Sequence, residues 1–205
     1  MDVKMLNSAL GNADLILIDQ ILKNRFHKQM KILDAGCGEG RNMVYFIKND
    51  FYIYGIDDNA DAVKMAKLYC KSLNKTFEAE NIQNFAIEEN PFPDQFFDAI
   101  ICINVLHSAK NQNDFFKWFE QLFRMLKFGG LLFLSVQSQI GLTHNHQQND
   151  KESRNFAGNE DFYLLTESVL KEILKLDYLK TFENTRSILI DNEKSYTYLF
   201  LEKSC

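Results

Sequence analysis

Compact apolar runs alternate with amphipathic stretches along most of the chain. Residues 31–33 (KIL), 52–56 (YIYGI), 99–103 (AIICI) and 131–136 (LLFLSV) are short, nearly continuous apolar runs bounded by turn-forming residues. Runs of this length and β-branched content predict strands buried on both faces. A weaker run at 76–79 predicts a third strand that ends at Glu80 and Asn81. Between these runs the apolar period lengthens to that of a helix. Leu15, Ile18, Ile21 and Leu22 predict a helix over 14–26, and a further helix is predicted over 41–48. Asn59 is a helix-capping residue, and Ala62, Ala66, Tyr69 and Leu73 then share one face. The stretch 115–126 is an amphipathic helix in which Phe115, Phe116, Trp118, Phe119 and Phe123 read mostly as a core face rather than a base-stacking platform. Thr166 begins another helix, to about 174, and β-rich runs at 178–182 and 196–201 close the chain as an antiparallel end to the sheet. Strands separated by helices imply an α/β fold, a parallel sheet with right-handed crossovers.

With 205 residues, the chain has the length of one α/β domain with its own core. The net charge of −5 provides no basic field for a phosphate backbone, so a nucleic-acid partner is not expected. The N-terminus lacks a basic and apolar leader pattern, and no apolar run is long enough to span a bilayer, so no membrane partner is expected. Cys37, Cys70, Cys102 and Cys205 show no CxxC spacing, which reads as a reducing, cytoplasmic location without a zinc or disulfide framework. Pro91 and Pro93 stand in one loop. The only shift in composition is the polar stretch 138–160, where His144 and His146 lack a third ligand, and no metal site is read there.

The densest chemistry lies in KILDAGCGEGRN, residues 31–42, where Gly36, Gly38 and Gly40 follow a strand. Glycine admits positive φ and lets a ligand touch the backbone, and ligands of such sheets bind beyond the carboxyl ends of the strands. Asp57 closes the next strand, where a carboxylate accepts the two hydroxyls of a ribose. Nicotinamide-dependent oxidoreductases carry the same pair of features. Their loop is G-x-G-x-x-G/A, however, and counted from Gly36 the last position is Arg41, too large for that packing role.

The pattern that is present, an acidic residue followed by G-x-G-x-G, resembles motif one of the class I S-adenosylmethionine-dependent methyltransferases. YGIDDN (54–59), PFPDQFFDAIICINVLH (91–107) and LKFGGLLFLS (126–135) resemble that family's second, fourth and fifth strand blocks, with Phe128 in place of a usual proline. The opening of the chain is also similar to small tellurite-resistance-type methyltransferases. The resemblance implies a Rossmann-like fold with a mostly parallel seven-stranded sheet, order 3-2-1-4-5-7-6, and helices on both faces. It covers nearly all of a single domain, 1–205, with 1–28 as an N-terminal helical cover and 138–160 as a lid loop. S-adenosyl-L-methionine is the implied cofactor and S-adenosyl-L-homocysteine its product. Asp34 and the backbone at Gly36, Cys37 and Gly38 are then expected at the methionyl end, Asp57 and Asp58 at the ribose, and Glu80 and Asn81 at the adenine. Asn104 is expected beside the methyl, and His107 beside the acceptor as a candidate general base. Cys37 reads as packing rather than as a nucleophile.

The expected reaction is in-line methyl transfer to a small-molecule acceptor, in which alignment supplies most of the catalysis. Amino-group nucleobase methylation is disfavoured because Asn104 is followed by Val105, Leu106 and His107 instead of two prolines and an aromatic. A non-catalytic cofactor-binding module and a nicotinamide oxidoreductase are the competing classes. The sequence leaves the acceptor and the oligomeric state open.

Overall fold

In the computed structural model, which describes residues 2–142 and 163–204, the apolar runs become the centre of one mixed sheet. Strands β1 (Lys31–Ala35), β2 (Tyr52–Asp57), β3 (Ile82–Asn84), β4 (Phe97–Ile103) and β5 (Leu126–Ser138) are parallel. Strands β6 (Leu179–Thr181), β7 (Arg186–Ile190) and β8 (Lys194–Lys203) complete it. The order is β3-β2-β1-β4-β5-β8-β6, and β8 runs antiparallel to β5. Leu201 pairs with Leu132 on one side and Thr181 on the other; Tyr198 pairs with Ser135 and Arg186 in the same way. β6 and β7 therefore lie end to end along the outer edge of β8. The expected order holds, with its outermost strand broken in two. The RSILI piece had no counterpart in the sequence reading.

Alternation along the strands divides the interior into two cores. Ile32, Ile101, Ile103, Phe133 and Phe200 face one side, where they meet α2 (Leu15–Leu22), α3 (Val44–Lys48) and α4 (Ala60–Leu73). Leu33, Ile100, Leu132, Leu134 and Leu199 face the other, under α5 (Gln112–Met125) and α6 (Glu167–Ile173). Burial on both faces is the reason these strands read as unbroken apolar runs. Ahead of α2 stands a short helix α1 (Val3–Leu10), none of whose residues is buried.

Several local expectations change. The first long helix stops at Leu22, because Asn24 takes φ +57, and it buries Leu17, Gln20 and Ile21 while Leu15 and Leu22 remain exposed. Helix α4 buries Val63, Ala66 and Cys70, not Tyr69, because the glycine loop packs against Ala66 and Cys70. The third strand is not at 76–79. Residues Ala79–Asn81 form a 3-10 turn, and the strand is the three residues after it. The expected lid lies, beyond Leu142, outside the described residues, as do His144 and His146. No described helix is long and apolar enough to cross a membrane.

Phe119 is fully buried on α5 between Phe115 and Phe123, its ring centroid 4.8 Å from that of Phe123. Phe119→Ala is expected to lower the unfolding free energy by about 3–5 kcal/mol, as for other large-to-small changes in a close-packed core. Urea denaturation measures it, and a loss below about 1 kcal/mol would show that this helix does not anchor the core.

Candidate functional site

The glycine loop leaves β1 and turns straight back onto the end of β2. The Gly36 and Cys37 N–H groups both donate to the Ile56 carbonyl, at 2.8 and 2.9 Å. The Gly38 N–H donates to Asp57 Oδ2 at 2.8 Å. The other carboxylate oxygen of Asp57 accepts from the Asn59 N–H at 3.0 Å, at the cap of α4. Asp57 is thus held from both sides, with lone pairs remaining on each oxygen.

The three glycines have different reasons. All take positive φ, at +76, +51 and +86. A Cβ on Gly36 would stand 2.3 Å from Val105 Cγ2, so the loop lies against the exit of β4. On Gly40 it would meet Cys70 Sγ at 3.2 Å, which is the loop's contact with α4. On Gly38 it would meet nothing within 4 Å, so this position faces open space. Cys37 is buried against Gly55, and burial pushes its thiol well above the ordinary range; it packs.

Asp34 is the most costly residue of the loop. It is 1% exposed, and its Oδ2 is a buried oxygen without a hydrogen-bond partner. Burial raises its carboxyl to about 7, against the pull of the Arg41 charge, with Asp57 adding to the rise. A cation beside it would favour the ionised form.

Beside the loop lies a solvent-open cleft of about 220 Å³. Gly36, Asp57, Asp58, Asn104 and Val105 line it together with Phe85, Ala86, Ile87, Ser108 and Trp118. Asn104 takes φ +58 just past β4; its N–H donates to the Ser135 carbonyl and its Oδ1 accepts from the Ser135 hydroxyl, each at 3.0 Å. His107 stands on the next 3-10 turn, its imidazole held below the usual value by burial, and its carbonyl accepts from the Tyr163 N–H at 2.7 Å. It is not on the cleft wall, although the neighbouring Ser108 is.

Glu80 and Asn81 are not brought to the cleft. They precede β3, whose register pairs Asn84 with Asp57, so the carboxyl end of that strand carries Asn84, Phe85 and Ala86. The Asn84 side-chain amide donates to the Asp57 carbonyl at 2.8 Å, and the Phe85 N–H donates to it at 3.1 Å. Phe85, Ala86, Ile87 and Trp118 were missed in the sequence, because a three-residue strand, IQN, is too short to show a period. Trp118 is only partly buried against its core, unlike Phe115 and Phe119, and turns to the cleft.

The chain was compared with known proteins. A family model described as a methyltransferase domain matches residues 26–195. A putative methyltransferase of Bacillus subtilis is 29% identical over 110 residues, 54% of this chain and 43% of that protein. A putative methyltransferase of a Geobacillus strain is 26% identical over 161 residues, 73% of this chain and 62% of its own length. The match thus spans less than two thirds of either relative. Among solved structures, the PH0226 protein of Pyrococcus horikoshii superposes with a TM-score of 0.69 at 18% identity, covering 98% of this chain and 97% of that one. A Clostridium acetobutylicum S-adenosylmethionine-dependent methyltransferase gives 0.69 at 13% identity, with 98% of each chain covered. The acidic G-x-G-x-G loop, the Asp57 carboxylate at the end of β2 and the sheet order stand together with the match over 26–195: the chain belongs to the methyltransferase-domain family.

Proposed function

We propose that the domain transfers a methyl group to a small-molecule acceptor and that Asp34 anchors the cationic end of the cofactor. The observation that carries this reading is the buried Asp34 Oδ2, without a hydrogen-bond partner among the described residues, near the end of β1 just before the glycine loop. S-adenosylmethionine supplies an activated methyl on a sulfonium, and its amino group provides the cation this carboxylate lacks. Asp57 and Asp58 take the ribose. The loop N–H groups of Gly36, Cys37 and Gly38 are used inside the protein, so the loop provides space rather than donors. Arg41 makes no ion pair among the described residues and serves the carboxylate of the same ligand. The adenine falls to Phe85, Ala86 and Ile87. Asn104 orients the reacting centre, and His107, which is off the cleft wall, is left out of the transfer step. A small acceptor is supported by the net charge of −5 and by the didemethyltoxoflavin N1-methyltransferase of Burkholderia thailandensis, a structural neighbour at TM-score 0.67 and 18% identity.

Three measurements test the reading. Titration calorimetry should show S-adenosylhomocysteine binding far better than NAD, and Asp57→Ala should weaken it by about 1.5–3 kcal/mol, the range for hydrogen bonds to a charged group. Glu80→Ala should leave affinity within about twofold, since a residue outside the site contributes little; a larger loss would return Glu80 to the site. The third is pH dependence. The folded Asp34 value of about 7 lies above the ordinary 3.8, so the folded protein holds a proton that the unfolded chain has lost, and this group's contribution to stability falls as pH rises from 3.8 to about 7. A cationic ligand favours the ionised form, so affinity should rise by up to about tenfold per pH unit below 7 and level off above it. A flat profile, or one that Asp34→Asn leaves unchanged, removes Asp34 from the anchor role.

A further inference from the structure

Helix α2 packs on one face of the sheet near Ile103, Phe133 and Phe200, and its first turn is tied on both sides. Asp14, its cap, accepts from the Ile16 and Leu17 N–H groups through Oδ1. The Asp14 N–H donates to Asn42 Oδ1 at 3.0 Å, just past the glycine loop. Its remaining oxygen, Oδ2, accepts from the Tyr198 hydroxyl at 3.0 Å, across 184 residues of sequence. Tyr198 is buried on β8 opposite Ser135, the residue that holds the Asn104 amide. Asn42 follows the glycine loop, and Ser135 opposite Tyr198 holds Asn104 of the cleft wall, so the Tyr198–Asp14 bond stands between the loop and the exit of β4.

The underside of α2 is poorly matched. Gln20 is fully buried with Oε1 lacking a partner, and a narrow apolar gap runs between Ile16, Leu17, Ile103 and Phe133. A buried amide oxygen without a partner weakens the seat of the helix. The far turns of α2 are held through Gln20, Lys23 and Asp19 to Glu183 and Arg186, whereas its first turn is tied by the Asp14 bonds to Asn42 and Tyr198.

We propose that Tyr198 is a positioning residue for the transfer, its hydroxyl clasping the first turn of α2 through Asp14 between the glycine loop and the exit of β4. The proposal rests on the cofactor reading above. A clasp that must open for a ligand to pass slows binding and release alike. A direct binding contact affects mainly release, and a damaged site slows binding.

The test is stopped-flow binding of S-adenosylhomocysteine to the full chain. Tyr198→Phe keeps the ring and removes the hydroxyl; Asp14→Ser keeps a helix cap but is too short to reach Tyr198. Each variant should raise the association and dissociation rate constants together by about tenfold, the effect of losing one hydrogen bond to a carboxylate. Affinity should change by less than about threefold, and the double variant should exceed neither single one, as for two ends of one contact. Melting temperatures confirm that both variants fold. Unchanged rate constants in a folded Tyr198→Phe would overturn the clasp, as would faster release without faster binding. Failure of the unaltered protein to bind would instead overturn the cofactor reading, and the clasp with it.

Discussion

The site depends on one constraint: the chain leaving β1 must fold back at once onto the carboxyl end of β2. Two N–H groups on one carbonyl, Ile56, and a third on the Asp57 carboxylate fasten that reversal. Only a backbone with three left-handed residues can do so in this length, which is why glycine occupies 36, 38 and 40. Once the loop is there, the rest has little freedom. Val105 fills the space beside Gly36, so the exit of β4 is pressed to the loop and Asn104 is carried to the cleft. Cys70 and Ala66 fill the space beside Gly40, so α4 is set in rotation. The Asp57 carboxylate is oriented by the loop, not only by its own strand.

The same geometry explains the tolerance of a buried carboxylate. An ionised Asp34 without a partner costs several times a normal hydrogen bond, and a protein selected for stability alone would not keep it. Its place near the end of β1, just ahead of the glycine loop, is consistent with the anchor role proposed above. The aliphatic and aromatic walls around it keep the local dielectric low, which strengthens the eventual pairing as much as it penalises its absence. Stability and binding are therefore opposed at this residue.

The legible parts of the sequence were those in which backbone geometry restricts residue type. Gly36, Gly38, Gly40 and Asp57 could be read because no other side chains satisfy the turn and the strand end. The buried strands β4 and β5 could be read because both faces are apolar. Elements set by tertiary contact could not. The 76–79 run has strand-like residues, yet β3 is IQN, chosen by pairing of Ile82 and Asn84 with Gly55 and Asp57 rather than by any period; Glu80 was misplaced with it. The face of α4 turned on a contact of Cys70 that no helical template contains. β7 was invisible because its side chains are largely exposed and its register comes wholly from β8.

This division also separates the two halves of the reaction. The cofactor half is shaped by backbone turns and strand ends, which leave a signature in residue type. Around it stand side chains on elements far apart in sequence: Asn104 on the exit of β4, Ser135 on β5, Tyr198 on β8, and Asp14 ahead of α2. Tyr198 and Asp14 belong to no motif, and each is an ordinary polar residue until the sheet order brings β8 beside β5. Because the last strand runs antiparallel, its beginning lies at the carboxyl edge, and residues near the chain's end meet residues near its start over the same ligand. These groups are joined by single hydrogen bonds between elements instead of a continuous turn, so no local pattern of residue types announces them.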